Sequence, residues 1–364
     1  MNRILPVAAL FGVAVTACSA GGDAQSVEST PTTVDLVTTV AAPSSTSSTT
    51  TSTALTTTTL ADAGDPLRMP LTGTPVDDAS EIPDRPALVV KISNYPQGVV
   101  PQSGLNDADL VIEEIINDGA TRLAVVFHST ESDPVGPIRS GRAQDIDLLR
   151  ALDRPLFAWS GGNPAVTRAV EDSDLINLDA RYTSGYYRRS GRSDANTLYS
   201  STDVLWGLAP DEAGRPGPLF DYLDDPDVVE GGSATQISVT LDDLRARWIY
   251  DPESGQYLRE QQGQSHTTEQ NGEVNRVRAD NVVVMMADYG INPSDGNPDA
   301  QVLGSNPVFV FSRGTVRIGS WIRFEPTDPI DLVVDVETLE PIGLVPGRTW
   351  LEIPRNIDGV LTWS

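Results

Sequence analysis

Apolar residues recur along this chain in two different patterns, and the change of pattern divides it. In the first, strand-like runs alternate with helical ones. "ALVVKISN" (87–94) reads as a buried strand. "ADLVIEEII" (108–116) and "TRLAVVFHS" (121–129), joined by a turn at Asn117-Asp118-Gly119, read as a β-hairpin. In "AQDIDLLRAL", Ala143, Ile146, Leu149 and Leu152 keep to one face, which predicts a helix over 140–152 with Ser140 as its N-cap. "PLFAWSGG" (155–162) is a further strand ending in a glycine turn. "NPAVTRAVED" (163–172) is a second helix and "LINL" (175–178) a short strand. From residue 236 the pattern becomes short strands split by Gly, Pro, Asp and Asn turns, as in "QISVTL", "ARWIYDPESGQYLRE", "NVVVMMADYG" and "PVFVFSRGTVRIGSWIRFE". The expected fold is therefore α+β. An N-terminal α/β layered domain with a mixed sheet (66–225) and a linker (226–235) precede a mainly β domain (236–364), a sandwich or partly closed barrel.

Ahead of these elements the chain is unlike a folded domain. "MNR" followed by "ILPVAALFGVAV" is a basic start and an apolar run too short for an ordinary membrane span. "VTAC" then resembles a lipobox, which implies a signal peptide at 1–17 and lipidation of Cys18. Acylation there would anchor the protein to the outer face of the cytoplasmic membrane. Residues 18–65 are of low complexity, and their run "SSTSSTTTSTALTTTTL" has almost no charge and no aromatic residue. They read as a disordered tether spanning roughly 35–40 Å. Cys18 is the single cysteine, so the expected mature domains have no disulfide or thiolate chemistry.

Charge narrows the partners. The chain of 364 residues carries 51 acidic and 25 basic residues, a formal charge of −26. Such a surface repels nucleic acid and other polyanions. His128 and His266 fall in different expected domains, which argues against a histidine-based metal site or catalytic triad, and neither a metal nor a cofactor is expected.

The richest constellation lies in the first half. "GPIRSGR" (136–142) sets Arg139 and Arg142 at the expected start of a helix, where the macrodipole disfavours cations. A carboxylate is therefore expected beside them, Glu113 or Glu114 from the hairpin, with Arg122 alongside. Counted from the centre of the turn, Glu113 and Arg122 face each other across the hairpin. Three readings stay open: a Glu–Arg brace, a site for an anionic ligand, and an acid/base couple of Glu113 and Asp145. The expected ligand-binding set is Arg122, Arg139, Arg142, Asn94, Gln102, Ser103, Ser160, Gly161, Gly162 and Asn196. "SGGN" (160–163) offers backbone N–H groups between a strand and a helix. Arg188, Arg189 and Arg192 form a dense basic loop, read first as solvated. Trp248, Tyr250, Tyr257, Trp321 and Trp350 are read first as core.

At these residues the chain resembles the YerB-like lipoproteins. In the first half the resemblance is carried by "PLTG" (70–73), "PQSGL" (101–105), "ADLVIEE" (108–114), "GATRLAVVF" (119–127), "GPIRSGR", Asp145, "SGG" and "NTLY" (196–199). In the second it is carried by "WIYDPESGQYLR" (248–259), His266, "NVVV" (281–284) and "GRTWLEI" (347–353). Where the pattern has a Pro-His pair before "NLY", this chain has Asp194-Ala195-Asn196-Thr197, so no histidine-dependent step is read onto that position. The resemblance implies a Gram-positive surface protein of two linked domains, and it implies no activity. The expected function is a membrane-anchored extracytoplasmic protein that binds a polar or anionic envelope ligand (a wall fragment or peptide) or scaffolds an envelope protein. A hydrolase of wall glycan or peptide using Glu113 and Asp145 is the alternative.

Overall fold

The apolar runs become strands with few shifts of boundary. The computed structural model describes residues 66–94, 99–225, 229–270, 272–293 and 295–364. The expected signal peptide, Cys18 and tether lie outside the described residues, as does part of the expected linker. The first half forms β1 (Leu88–Ser93), β2 (Gln102–Ser103), β3 (Leu110–Ile115), β4 (Thr121–Phe127), β5 (Leu156–Trp159) and β6 (Ile176–Asp179). Among the described residues it also forms three α-helices, α1 (Gln144–Leu149), α2 (Pro164–Glu171) and α3 (Thr202–Trp206). The second half adds β7 (Gln236–Leu241), β8 (Leu244–Asp251), β9 (Gln256–Gln261), β10 (Thr267–Gln270) and β11 (Asn281–Met285). It continues with β12 (Gly304–Ser312), β13 (Thr315–Arg323), β14 (Asp331–Val333), β15 (Thr349–Ile353) and β16 (Leu361–Trp363).

The fold is α+β, as the patterning predicts, and no barrel closes. Strands β11 to β15 complete the sheet that the first half begins. One eleven-stranded sheet runs β14-β13-β12-β11-β15-β3-β4-β1-β5-β6, with Gly232–Ser233 beside β13. Its two halves meet where β15 lies parallel to β3, with Thr349 opposite Leu110 and Ile353 opposite Glu114. A six-stranded sheet built around β9-β8-β7-β16 packs on one face through Ile237, Val239, Trp248 and Tyr257 against Val90, Val111, Leu123 and Trp350. The opposite face is covered by α1 and α2, whose Leu148, Leu149, Val166 and Val170 meet Val89, Ile112, Ala124 and Leu351. The large sheet is therefore buried on both sides, which is why β1, β3 and β4 are apolar at nearly every position.

Two local expectations need correction. The hairpin is centred on Asp118, not between Asn117 and Asp118, so Arg122 lies opposite Glu114 and Leu123 opposite Glu113. Asp118 and Gly119 take φ of 62° and 66° in the three-residue turn, and this one-residue slip moves Glu113 to the other face from Arg122. The first helix begins at Gln144, with Ala143 as an N-cap that makes no side-chain bond, so Ser140 caps nothing. "GPIRSGR" is instead extended along β1. The Ser93 N–H donates to the Pro137 carbonyl at 3.0 Å, and the Arg139 N–H to the Lys91 carbonyl at 2.8 Å.

Candidate functional site

Strand alternation carries Lys91, Glu114 and Arg122 to the sheet face that α1 covers. All three are buried, and Lys91 and Glu114 are wholly so. The Lys91 ammonium donates to the Glu114 carboxylate and to Asp145 Oδ1, the latter at 2.6 Å. Asp145 Oδ2 also accepts the Arg142 N–H at 2.6 Å, so this carboxylate ties the turn before α1 to the sheet. Burial, then the charge of Asp145, pushes the Glu114 carboxyl up to about 7.

Beside this triad gather Arg122, Arg139 and Arg142. Arg122 donates to Ser93 Oγ at 3.4 Å, Arg139 to the Ala195 carbonyl at 2.9 Å, and Arg142 to Ser140 Oγ, the Gly141 carbonyl and Asn117 Oδ1 at 2.9 Å each. Every acceptor bonded to these guanidiniums among the described residues is a neutral oxygen. The expected Glu113 or Glu114 partner makes no hydrogen bond to them: Glu113 lies on the far face and Glu114 is bonded to Lys91, while its charge still attracts Arg122 and Arg142. Burial and the charges of Arg142 and Arg139 push Arg122 down to about 9. Arg139 is likewise lowered, by burial and then by Arg142. A guanidinium keeps its proton in proteins, so these shifts express the cost of burial first and mutual repulsion second, offset in part at Arg122 by the charges of Glu114 and Asp145. The buried Nε of each of the three has no hydrogen-bond partner.

The glycine turn borders the same segment. The Ser160 N–H donates to the Arg139 carbonyl at 2.9 Å. Gly161 has φ of +88°, and a Cβ there would lie 3.8 Å from that of Ser140. Asn163 caps α2, accepting from the N–H groups of Ala165 and Val166. Asn196 is buried next to Ala195, and its Oδ1 has no partner.

The other face holds a second buried polar network, and three expected site residues belong to it. Asn94 donates to Glu113 at 2.8 Å and to Thr121 at 2.9 Å. Gln102 bridges Asn94 at 3.1 Å and His266 at 2.9 Å, while Ser103 donates to Glu269 at 3.3 Å. At the centre Arg259 pairs with Glu113 at 2.6 Å and lies 3.7 Å from Glu352. The parallel register sets Glu352 beside Glu113. Burial and then the Glu113 charge push the Glu352 carboxyl up to about 8. Glu113 on β3 and Asp145 on α1 thus lie on opposite sides of the large sheet and do not share a cleft as an acid/base couple would. Lys91, Arg259 and Glu352 are partners that sequence reasoning missed. Lys91 carried a readable signal, as the only lysine and set inside an apolar strand.

The basic loop is not simply solvated. Arg189 pairs with Glu269 at 2.8 Å, Arg188 donates to Thr197 at 2.7 Å, and Arg192 donates to the carbonyls of Val99 and Pro101. Trp248, Tyr257, Trp321 and Trp350 are core, as expected, and Tyr250 is half-buried. Among the described residues no helix is long and apolar enough to cross a membrane.

Comparison with known proteins covers both halves. The N-terminal domain described as a protein of unknown function (DUF3048) matches residues 71–215, and the C-terminal domain of the same description matches residues 237–351. A lipoprotein named YerB from Bacillus subtilis (strain 168) is 24% identical over 305 residues, spanning 82% of this chain and 89% of its own. The crystal structure of the YerB protein from Bacillus subtilis superposes with a TM-score of 0.70 at 23% identity, covering 82% of this chain and 99% of the solved one. That likeness carries the fold. With both domains matched in order along one chain, the protein belongs to the DUF3048 family of YerB-like proteins.

Proposed function

We propose that this protein is a membrane-anchored, extracytoplasmic lipoprotein that holds an anionic group of a cell-envelope ligand, a wall fragment or peptide, against Arg122, Arg139 and Arg142. Ser160, Gly161, Gly162 and Asn196 border that site. One observation carries the reading. On a chain of formal charge −26, three guanidiniums gather on one face and, among the described residues, hydrogen-bond only neutral oxygens. Guanidiniums favour charge-assisted, forked contacts with carboxylate or phosphate, and an arriving anion relieves their mutual repulsion. The "VTAC" motif at Cys18 supports the anchor, in keeping with the name of the relative.

The test is the melting temperature of the purified chain against muropeptides, teichoic acid fragments and wall-derived peptides, with Arg139→Ala alongside. The expected result is a saturable rise that the variant loses. A flat response to all three ligand classes rejects the reading, as does an equal rise in the variant. For the anchor, Cys18→Ala is expected to move the protein from the membrane fraction to the medium. Retention in the membrane would refute lipidation at that residue.

A further inference from the structure

We infer that the group held by Arg122, Arg139 and Arg142 is a doubly charged tetrahedral anion, a phosphomonoester rather than a single carboxylate or a phosphodiester. The inference rests on the anion-binding reading above and adds the valence and shape of the ligand.

Charge balance is the first argument. Lys91, Arg122, Arg139 and Arg142 face two carboxylates, Glu114 and Asp145, and Lys91 is bonded to both. With Glu114 ionised, above its value of about 7, four cations less two anions among the described residues leaves an excess of two. A monoanion would offset one of these two charges and leave the repulsion among the buried Arg122 and Arg142 and the half-buried Arg139 only partly relieved. A dianion closes the balance.

Donor geometry is the second argument. The guanidiniums come from two separate segments, Arg122 from β4 and the other two from the extended stretch before α1. Their buried Nε groups are all unpartnered. A carboxylate offers two oxygens in one plane and is saturated by two forked guanidiniums. A phosphoryl group offers three terminal oxygens in three directions, one for each guanidinium. The turn at Ser160–Gly162 adds a third segment, and the Ser160 N–H bond to the Arg139 carbonyl fixes it against that arginine at 2.9 Å.

The experiment is isothermal titration of the full chain with inorganic phosphate, at a pH where it is doubly charged, against sulfate and acetate at matched ionic strength. Phosphate and sulfate are expected to bind about tenfold or more tighter than acetate, with the preference abolished in Arg139→Gln. Arg139 is half-buried and bonded to one carbonyl, so this variant is expected to keep its fold, which circular dichroism checks. Acetate binding as tightly as phosphate overturns the dianion inference and leaves the anion site standing. No binding of any of the three overturns both. A soluble sugar phosphomonoester and vesicles carrying a phosphomonoester lipid form two further arms, and binding in either supports the inference and identifies the source. A simple phosphodiester is expected to match acetate, and tighter binding by it would count against the inference.

Discussion

Arg259 and Arg139 carry the same charge in opposite circumstances. Arg259 is wholly buried, with Glu113 at 2.6 Å and Glu352 at 3.7 Å, and lies over the Trp350 ring at 4.8 Å. Removing it strands the Glu113 carboxylate in the core beside Glu352. Arg259→Met is therefore expected to cost about 3–5 kcal/mol in guanidinium unfolding. A loss below about 1 kcal/mol would mean that the pair is not structural. Arg139→Gln is expected to change stability by less than about 1 kcal/mol while abolishing anion binding. The protonation of these networks also sets a pH dependence. Glu352 and Glu114 are raised to about 8 and about 7 from an ordinary 4.5, chiefly by burial. The folded state thus holds protons that the unfolded chain releases, so stability rises as the pH falls. Their contribution is complete below about 4.5 and is lost as pH rises through about 7 and then about 8. The denaturant midpoint of the wild type should fall across that window, and Glu352→Gln should flatten the upper part of the fall. An unchanged slope in the variant would show that Glu352 is not the titrating group.

The β3–β4 turn joins three elements through a few atoms. The Gly119 carbonyl accepts the Asp243 N–H at 3.1 Å, from the turn between β7 and β8. Asn117 Oδ1 accepts from Arg142 Nη2 at 2.9 Å, so the same turn helps to position the arginine cluster. Gly119 has φ of +66°, and a Cβ there would come within 2.3 Å of Asp243 Oδ2. Gly119→Ala is expected to cost about 1–3 kcal/mol through backbone strain and the displaced Asp243. Thermal unfolding reads this directly, and a melting temperature within error of the wild type would contradict it. The element most misread from sequence is the start of α1. Periodicity at Ala143, Ile146, Leu149 and Leu152 is genuine, yet residues 137–139 are held extended by main-chain bonds to β1, Leu198 and Ser160, and the helix begins only at Gln144.

The two family domains are one body of hydrogen bonds. β15, near the C-terminus, is the strand between β11 and β3, and β2 pairs in parallel with β10. Arg189–Glu269 and Arg259–Glu113 tie the same halves through side chains. Residues 66–225 expressed alone would leave the outer edge of β3 unpaired and its face with Val111 and Glu113 uncovered. That fragment is expected to show no cooperative unfolding and little amide protection, with folding restored when residues 229–364 are supplied in trans. A cooperative transition for the fragment alone would refute the coupling.

Apolar runs, turn residues and the N-cap at Asn163 determine the strands, the hairpin and α2, because these are set by neighbours within a few residues. The α+β class, the crowding of arginines in "GPIRSGR" and the family resemblance are legible for the same reason. The pairing of those arginines is not, because a one-residue change in hairpin register exchanges the faces of Glu113 and Glu114, and no local propensity fixes that register. The meeting of Glu352 with Glu113 joins residues 239 positions apart, as 352 − 113 gives. Only the packing of both halves into one sheet brings such distant groups together. That packing also gathers three guanidiniums on one face that, among the described residues, hydrogen-bond no carboxylate.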